Sequence, residues 1–146
     1  MSSGVSLGVS SGVSPGVSSE VRDISDLPSP RGWYDAGRMI FIAVKFTVRP
    51  EYSDSWLERT AEFTRATRAE EGNLFYDWSR SVDDPNQFVL LEGFASQEAG
   101  AAHVGSDHFK AGMETMSEAI ASTPEIIHTE IPGSSWSEMG ELSPKG

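Results

Sequence analysis

Strand and helix patterns follow one another through residues 39–131 in the order β-α-β-β-α-β. This order is that of the split βαβ, or ferredoxin-like, arrangement. Such a domain is an α+β fold in which a four-stranded antiparallel sheet carries helices on one face. The sequence therefore predicts one domain of this type at residues 38–132.

The first predicted strand, residues 40–48, is apolar at nearly every position. A strand that is apolar on both sides is covered on both faces of its sheet. The two predicted helical regions cover only one face. A second copy of the chain is the simplest cover for the other face, so we expect a two-fold homodimer.

The helices are predicted from their boundary residues and from the spacing of apolar side chains. Pro50 suits a first helical turn, and Gly72 is expected to end that helix in a left-handed conformation. Ser96 and Ser106 are expected to cap two later helices, and Pro124 to stop the last one. The first helix buries one face, made of Tyr52, Trp56, Thr60, Phe63 and Thr67. The last helix turns four side chains inward, namely Phe109, Met113, Met116 and Ile120.

The remaining strands are predicted at residues 73–82, 87–95 and 125–131. On the first of these, alternation places Tyr76, Trp78 and Arg80 on one face. We expect Arg80 to pair with Glu92 across the hairpin.

The two ends of the chain differ in composition from the domain. Residues 1–37 repeat Gly-Val-Ser every four positions and hold few large apolar side chains, so we predict a disordered tail. In an alternative, Trp33 and Tyr34 dock locally on the domain. Folding signals begin at Met39, which suggests the hypothesis that Met39 is the natural start. Residues 133–146 read as a polar tail in which Trp136 could act as an anchor.

The charge of the chain limits its partners. The formal net charge is −11, and residues 38–131 hold 16 acidic and 8 basic side chains. Such acidity disfavours nucleic acids and anionic membrane surfaces as partners. The chain has no cysteine, no signal-peptide core and no apolar run long enough to span a bilayer, which fits a cytoplasmic protein. No phosphate-binding or dinucleotide-binding glycine motif is present, so nothing in the chain indicates a flavin, nicotinamide or nucleotide cofactor.

Several short segments, taken in order, resemble a known family. They are EEGNLFYDWSRS at 70–81, DDPN at 83–86, FVLLEGF at 88–94, AAH at 101–103 and SDHF at 106–109. Together they resemble the antibiotic biosynthesis monooxygenase family, which includes quinol monooxygenases. The resemblance implies a dimeric α/β barrel. It also implies a monooxygenase without a cofactor that oxidises a phenolic or hydroquinone compound, such as a polyketide-derived one, with O₂ to a quinone.

Two histidines are the leading candidates for chemistry. His103 and His108 could approach the mouth of a pocket between helices and sheet, as a general base or as a hydrogen-bonding partner of a phenol. Alternatively, they are helix-end histidines bonded to carbonyls, or metal ligands together with Asp107 or Glu98. We predict no metal. The resemblance favours His103 for proton transfer, since family members often carry Ala-His at this point.

The second strand contributes further candidates. Tyr76 and Trp78 could sandwich a flat substrate or simply pack in the core or a dimer interface. Asn73 could orient a substrate carbonyl or an oxygen derived from O₂, since some family members use a Trp and an Asn in the pocket. His128 is expected to be structural. The predicted site residues are His103, Trp78, Tyr76, His108 and Asn73. The fold also hosts binding proteins and polyketide cyclases, so a non-catalytic or cyclase-type protein is the alternative.

Overall fold

The computed structural model describes residues 37–146. The predictions for residues 1–36, including Trp33 and Tyr34, lie outside the described residues. The elements are β1 (Arg38–Thr47), α1 (Pro50–Ser53), α2 (Trp56–Arg59), α3 (Ala61–Arg68), β2 (Asn73–Arg80), β3 (Gln87–Phe94), α4 (Gln97–Val104), α5 (Asp107–Ser117) and β4 (Glu125–Pro132). No helix in this part of the chain is long and apolar enough to cross a membrane.

The four strands form one antiparallel sheet in the order β2-β3-β1-β4. This order confirms the predicted ferredoxin-like α+β fold. Tyr76 on β2 lies opposite Glu92 on β3, and Glu92 lies opposite Ile42 on β1, which in turn faces His128 on β4. These four residues form one row across the sheet.

The core lies between the sheet and the helices. From β1 the inner face contributes Ile40, Ile42, Val44 and Phe46, all buried. The helices contribute Trp56, Phe63 and Met116. Alternation along the strands and amphipathic spacing along the helices therefore produce one apolar layer, as the sequence pattern predicts.

The first helical region is broken into three short helices. Thr60, between α2 and α3, has φ −96° and ψ 5°, and its hydroxyl donates to the carbonyl of Trp56 at 3.0 Å. Such back-bonding by threonine competes with the helical ladder and bends it. The predicted buried face is confirmed at Trp56, Phe63 and Thr67.

Gly72 does not end this region in the predicted left-handed conformation. The region ends at Arg68, and the positive-φ glycine among the described residues is Gly133, at φ 104°. A Cβ at Gly72 would overlap the side chain of Ala99. The glycine therefore serves close packing of the turn against α4 instead of an unusual backbone angle.

Both serine caps are confirmed. The Ser96 hydroxyl accepts from the Ala99 amide, and the Ser106 hydroxyl accepts from the Phe109 amide, each at 3.1 Å. α5 ends at Ser117, before the stop expected at Pro124. Met113 is 40% exposed, so its predicted inward orientation is wrong. The buried stripe of α5 runs through Gly112 and Met116, four residues apart, and Met113 lies beside it.

The sheet face opposite the helices is apolar and only partly covered. Phe41, Phe75 and Leu91 are half-buried there, and Ile127 is exposed. Trp136 from the C-terminal segment packs on Phe75, with ring centroids 5.7 Å apart. The described chain therefore covers part of this face with its own tail.

Candidate functional site

Three polar side chains from separate segments meet at one end of the core. Glu70 lies in the turn between α3 and β2, His103 in the last turn of α4, and His108 in the first turn of α5. Glu70 Oε2 lies 2.9 Å from His103 Nδ1 and also contacts His108 Nε2. The break capped by Ser106 brings both imidazoles to the same carboxylate oxygen.

His103 is the most enclosed member of this group. It is 3% exposed, and its ring packs against Phe94, Phe109 and Phe63 at centroid distances of 4.8, 5.1 and 5.7 Å. Burial lowers the pKa of His103, although the hydrogen bond that His103 donates to Glu70 opposes this shift. The imidazole is therefore neutral at neutral pH. In the tautomer that fits the bond, Nδ1–H donates to Glu70 and Nε2 carries a free lone pair.

Glu92 is a site residue that the sequence reasoning did not identify. It is 6% exposed on the inner face of β3, and its Oε1 lies 4.0 Å from His103 Nε2. This oxygen has no hydrogen-bond partner. Burial, and then the charge of Glu70, raises the pKa of Glu92 to about 8. The carboxyl group is therefore protonated at neutral pH.

The predicted pairing of Arg80 with Glu92 is wrong. Arg80 bonds Asp54 at 3.0 Å and the carbonyl of Pro85 at 2.7 Å. In the hairpin register Arg80 lies opposite Phe88, so it is displaced along the strand from Glu92. A usable signal was present, since Glu92 is the one acidic residue on a strand face otherwise made of apolar side chains.

Tyr76 lies directly opposite Glu92 on the neighbouring strand. It is 1% exposed, and its hydroxyl has no hydrogen-bond partner. Burial, followed by the charge of Glu92, raises the pKa of Tyr76 above its ordinary value. Two oxygen atoms without hydrogen-bond partners thus belong to facing residues of adjacent strands.

Trp78 and Asn73 lie in different surroundings. Trp78 Nε1 donates to Thr64 Oγ1 at 3.0 Å, and the Trp78 ring packs against Phe46 and Trp56. Asn73 Nδ2 donates to the carbonyls of Phe75 and Gly93, at the irregular start of β2. The structure thus brings His103 and His108 together at Glu70 and places Tyr76 opposite Glu92 on the next strand. It puts Trp78 in an adjacent aromatic cluster and engages the Asn73 amide with backbone.

A cleft of about 410 Å³ opens between α2 and α3 on one side and α5 on the other. His108, Asp107 and Phe63 line it. The Phe63 ring also contacts Tyr76 and His103, with centroids 6.0 and 5.7 Å away. Phe63 therefore separates this cleft from the buried oxygens. The sequence predicted a pocket mouth between the helices and the sheet. The observed cleft instead opens between helices.

One group of described residues has donor atoms close enough to hold a metal ion. These atoms, from Glu70, His103 and His108, all lie within 4.8 Å of one another. The alternative carboxylates considered from sequence, Asp107 and Glu98, are not part of the group. Hydrogen bonds among the three residues account for the arrangement, and we assign no metal to it. His128 lies on β4, apart from the group, with an unpartnered Nε2.

Comparison with known proteins identifies the family. The model for the family described as "Antibiotic biosynthesis monooxygenase" matches residues 39–115, more than half of the chain. The chain belongs to the antibiotic biosynthesis monooxygenase family. The match spans Glu70, Tyr76, Glu92, His103 and His108, so the whole cluster lies within the family domain.

Individual proteins that are similar to this chain are consistent with the family match. "Putative monooxygenase YcnE" from Bacillus subtilis (strain 168) is 29% identical over 93 residues, which cover 64% of this chain and 98% of the relative. The structure "Putative antibiotic biosynthesis monooxygenase from Nitrosomonas europaea" matches with a TM-score of 0.60 and 26% identity, covering 64% of this chain and 89% of that one. A conserved protein from Methanosarcina mazei Go1 shares the fold, with a TM-score of 0.62, 24% identity, and coverage of 66% and 96%.

Proposed function

We propose that this protein is a cofactor-independent monooxygenase that uses O₂ to oxidise a phenolic or hydroquinone compound to a quinone. The observation that carries the proposal is the buried, neutral His103, held by Glu70 at Nδ1 and free at Nε2. A base of this kind suits removal of a phenol proton at neutral pH. The family supports oxygen chemistry in general terms.

In this reaction the substrate supplies the electrons. His103 Nε2 takes the phenol proton, and the resulting phenolate passes one electron to O₂. The radical pair recombines to a peroxide on carbon. The peroxide then collapses as its carbon–hydrogen and oxygen–oxygen bonds break, which yields the quinone and water. The share of the protein is deprotonation, orientation and exclusion of water.

The surrounding residues receive roles from their contacts. Glu70 accepts a hydrogen bond from Nδ1–H of His103, and its negative charge stabilises the imidazolium that forms. Tyr76 and Trp78, which pack on each other, offer ring faces to a flat substrate, and His108 offers a polar contact at the cleft. A substrate that enters from the cleft displaces the Phe63 ring. The role predicted for Asn73 stays a prediction, because its amide nitrogen donates to backbone carbonyls.

The active assembly in this proposal is a homodimer. The apolar sheet face of Phe41, Phe75, Leu91 and Ile127 supports it, because such a surface gains stability when a second copy covers it. Light scattering during size-exclusion chromatography tests the mass in solution. A monomer mass would contradict this part of the proposal.

The test of the base is oxygen uptake with a panel of hydroquinones and phenols, with no flavin or metal added. We expect His103→Asn to lower turnover roughly 10²- to 10⁴-fold, because the amide keeps a donor toward Glu70 but cannot take a proton. His128→Asn, on β4 outside the cluster, is the matched control and should retain wild-type turnover.

Two results would contradict the proposal in different ways. Unchanged turnover in His103→Asn would remove His103 as the base. A panel that consumes no oxygen, but raises the melting temperature of the protein, would instead favour a small-molecule-binding function.

A further inference from the structure

We propose that Glu92 is a second catalytic group of this site, the general acid that protonates the oxygen leaving as water. This inference rests on the proposed monooxygenase function and deepens it. It assigns acid and base to two different side chains, Glu92 and His103.

The position of Glu92 in the sheet is the first argument. It occupies an inner-face position of β3, between Leu90 and Phe94. The other side chains on this face of the strand are all apolar. Its Oε1 is buried without a hydrogen-bond partner. Burying an unpartnered polar atom costs free energy, so each such atom calls for an explanation such as a ligand or a catalytic role. Among the atoms of this kind in the described residues, Glu92 Oε1 is the one that belongs to a carboxyl group.

The surroundings of Glu92 give the second argument. Its Oε1 lies 4.0 Å from His103 Nε2, and Tyr76, whose hydroxyl is also unpartnered, lies opposite in the strand ladder. A buried oxygen without a partner, 4.0 Å from a base, would be satisfied by a ligand that itself carries oxygen atoms. A phenolic compound, or the peroxide formed from it, has this chemistry.

The charged groups around Glu92 favour its protonated form. Glu70 faces it from the turn before β2, His103 from α4 and Tyr76 from β2, while His108 lies behind Glu70. The Arg68 guanidinium bonds the carbonyl of Tyr76. In the same sheet row, His128 is separated from Glu92 by Ile42. Glu92 keeps its proton at neutral pH while His103 stays neutral, and such opposite shifts are how a site divides acid and base roles.

The step balances with these two groups alone. His103 first passes the phenol proton to the peroxide anion and is neutral again. His103 Nε2 then takes the proton of the carbon that bears the peroxide, and the carbon–hydrogen electron pair forms the carbonyl bond. The oxygen–oxygen bond breaks, and the leaving hydroxide takes the Glu92 proton to become water. The imidazolium of His103 then returns its proton to the Glu92 carboxylate.

The kinetic test compares Glu92→Gln with Glu98→Gln, which changes an exposed glutamate on α4. We expect Glu92→Gln to lower kcat by roughly 10²-fold or more at neutral pH, with KM changed far less. The fall of kcat above about pH 8, expected in the wild type from deprotonation of Glu92, should disappear. Glu92→Gln should also release organic peroxide, because the leaving oxygen is no longer protonated. Glu92→Asp, which keeps an acid, should retain the alkaline fall. Wild-type kcat and an unchanged alkaline fall in Glu92→Gln would overturn the inference.

A second measurement needs no turnover and separates this inference from the proposed function. Infrared difference spectroscopy of the wild type should show the carbonyl stretch of a protonated carboxylic acid at neutral pH, lost near pH 8 and absent in Glu92→Gln. If the band is missing, Glu92 is not the acid, whatever the activity. If the band is present but no substrate is oxidised, the proposed reaction fails and the catalytic role fails with it.

Discussion

The layer between helices and sheet has two halves of opposite chemistry. In the aromatic half, Trp56 packs against Phe46, Trp78 and Phe88 with ring centroids 5.4 to 6.0 Å apart. In the polar half, Glu92 holds an oxygen atom without a partner 4.0 Å from His103, and Tyr76 holds another on the neighbouring strand. The first arrangement gains stability from packing, whereas the second buries titratable groups at a cost in stability.

Phe63 and Tyr76 form the boundary between these halves. Tyr76 contacts Trp78 on one side, at 6.1 Å, and lies opposite Glu92 on the sheet. Phe63 packs on both Tyr76 and His103. One continuous core can therefore be stabilised by aromatic packing at one end and contain buried polar groups at the other.

The largest expected effect comes from breaking the aromatic half. Trp56→Ala should lower the free energy of unfolding by about 3–5 kcal/mol, because the fully buried indole leaves a cavity among three aromatic rings. Leu57→Ala, next to it and 50% exposed, is the control. Urea unfolding measures both. Equal losses in the two variants would show that the stability does not centre on this half.

The second expected effect is a pH dependence of the free energy of unfolding that arises in the polar half. Folded Glu92 keeps its proton to about pH 8, whereas the unfolded chain loses it near 4.5, so Glu92 makes stability fall as pH rises. The lowered pKa of His103 acts oppositely, and this effect fades as the pH rises past its ordinary value of 6.5. Toward pH 8 the Glu92 effect therefore dominates, at up to about 1.4 kcal/mol per pH unit.

Urea unfolding at pH 6.5, 7.2 and 8 measures this slope. Glu92→Gln should flatten it, since the amide does not titrate, while Glu98→Gln should leave it as in the wild type. A wild-type slope that survives in Glu92→Gln would mean that another group causes the pH dependence.

Two helical glycines test the boundary formed by Phe63, and they include the smallest expected effect, at Gly100. A Cβ at Gly112 would lie 2.7 Å from the Phe63 ring, so Gly112→Ala should cost about 1–3 kcal/mol as the ring is pushed. Gly100→Ala meets nothing within 4 Å and should stabilise α4 by about 0.5–1 kcal/mol. Thermal unfolding compares the two variants. A neutral Gly112→Ala would show that Phe63 yields easily and does not fix the boundary.

Much of the fold follows from local patterns. Alternation along β1 and the four-residue spacings from Trp56 to Thr60 and from Phe63 to Thr67 each reflect local backbone geometry, so both patterns can be recognised in the sequence. The serine caps at 96 and 106 are equally local, since each hydroxyl bonds an amide three residues ahead. Met113 shows the limit, because the stripe that α5 buries depends on where α3 approaches it.

The site residues likewise fall into those that the sequence predicts and those that only tertiary contacts identify. His103, His108 and Tyr76 were predicted from residue type and from resemblance to a family. Glu70 and Glu92 were not, because their importance arises from contacts across 33 and 11 positions of sequence. The local hairpin pattern even suggested Arg80 as the partner of Glu92, and the strand register decided otherwise.

The sequence by itself determined the order of the elements, the apolar inner layer and the family. The tertiary structure alone decided which carboxylate holds His103 and which acid lies beside it. It also decided that burial shifts the pKa values of Glu92 and His103 in opposite directions. The physical reason is that propensity and periodicity act between neighbours along the chain, whereas desolvation and proton sharing depend on groups that only folding brings together.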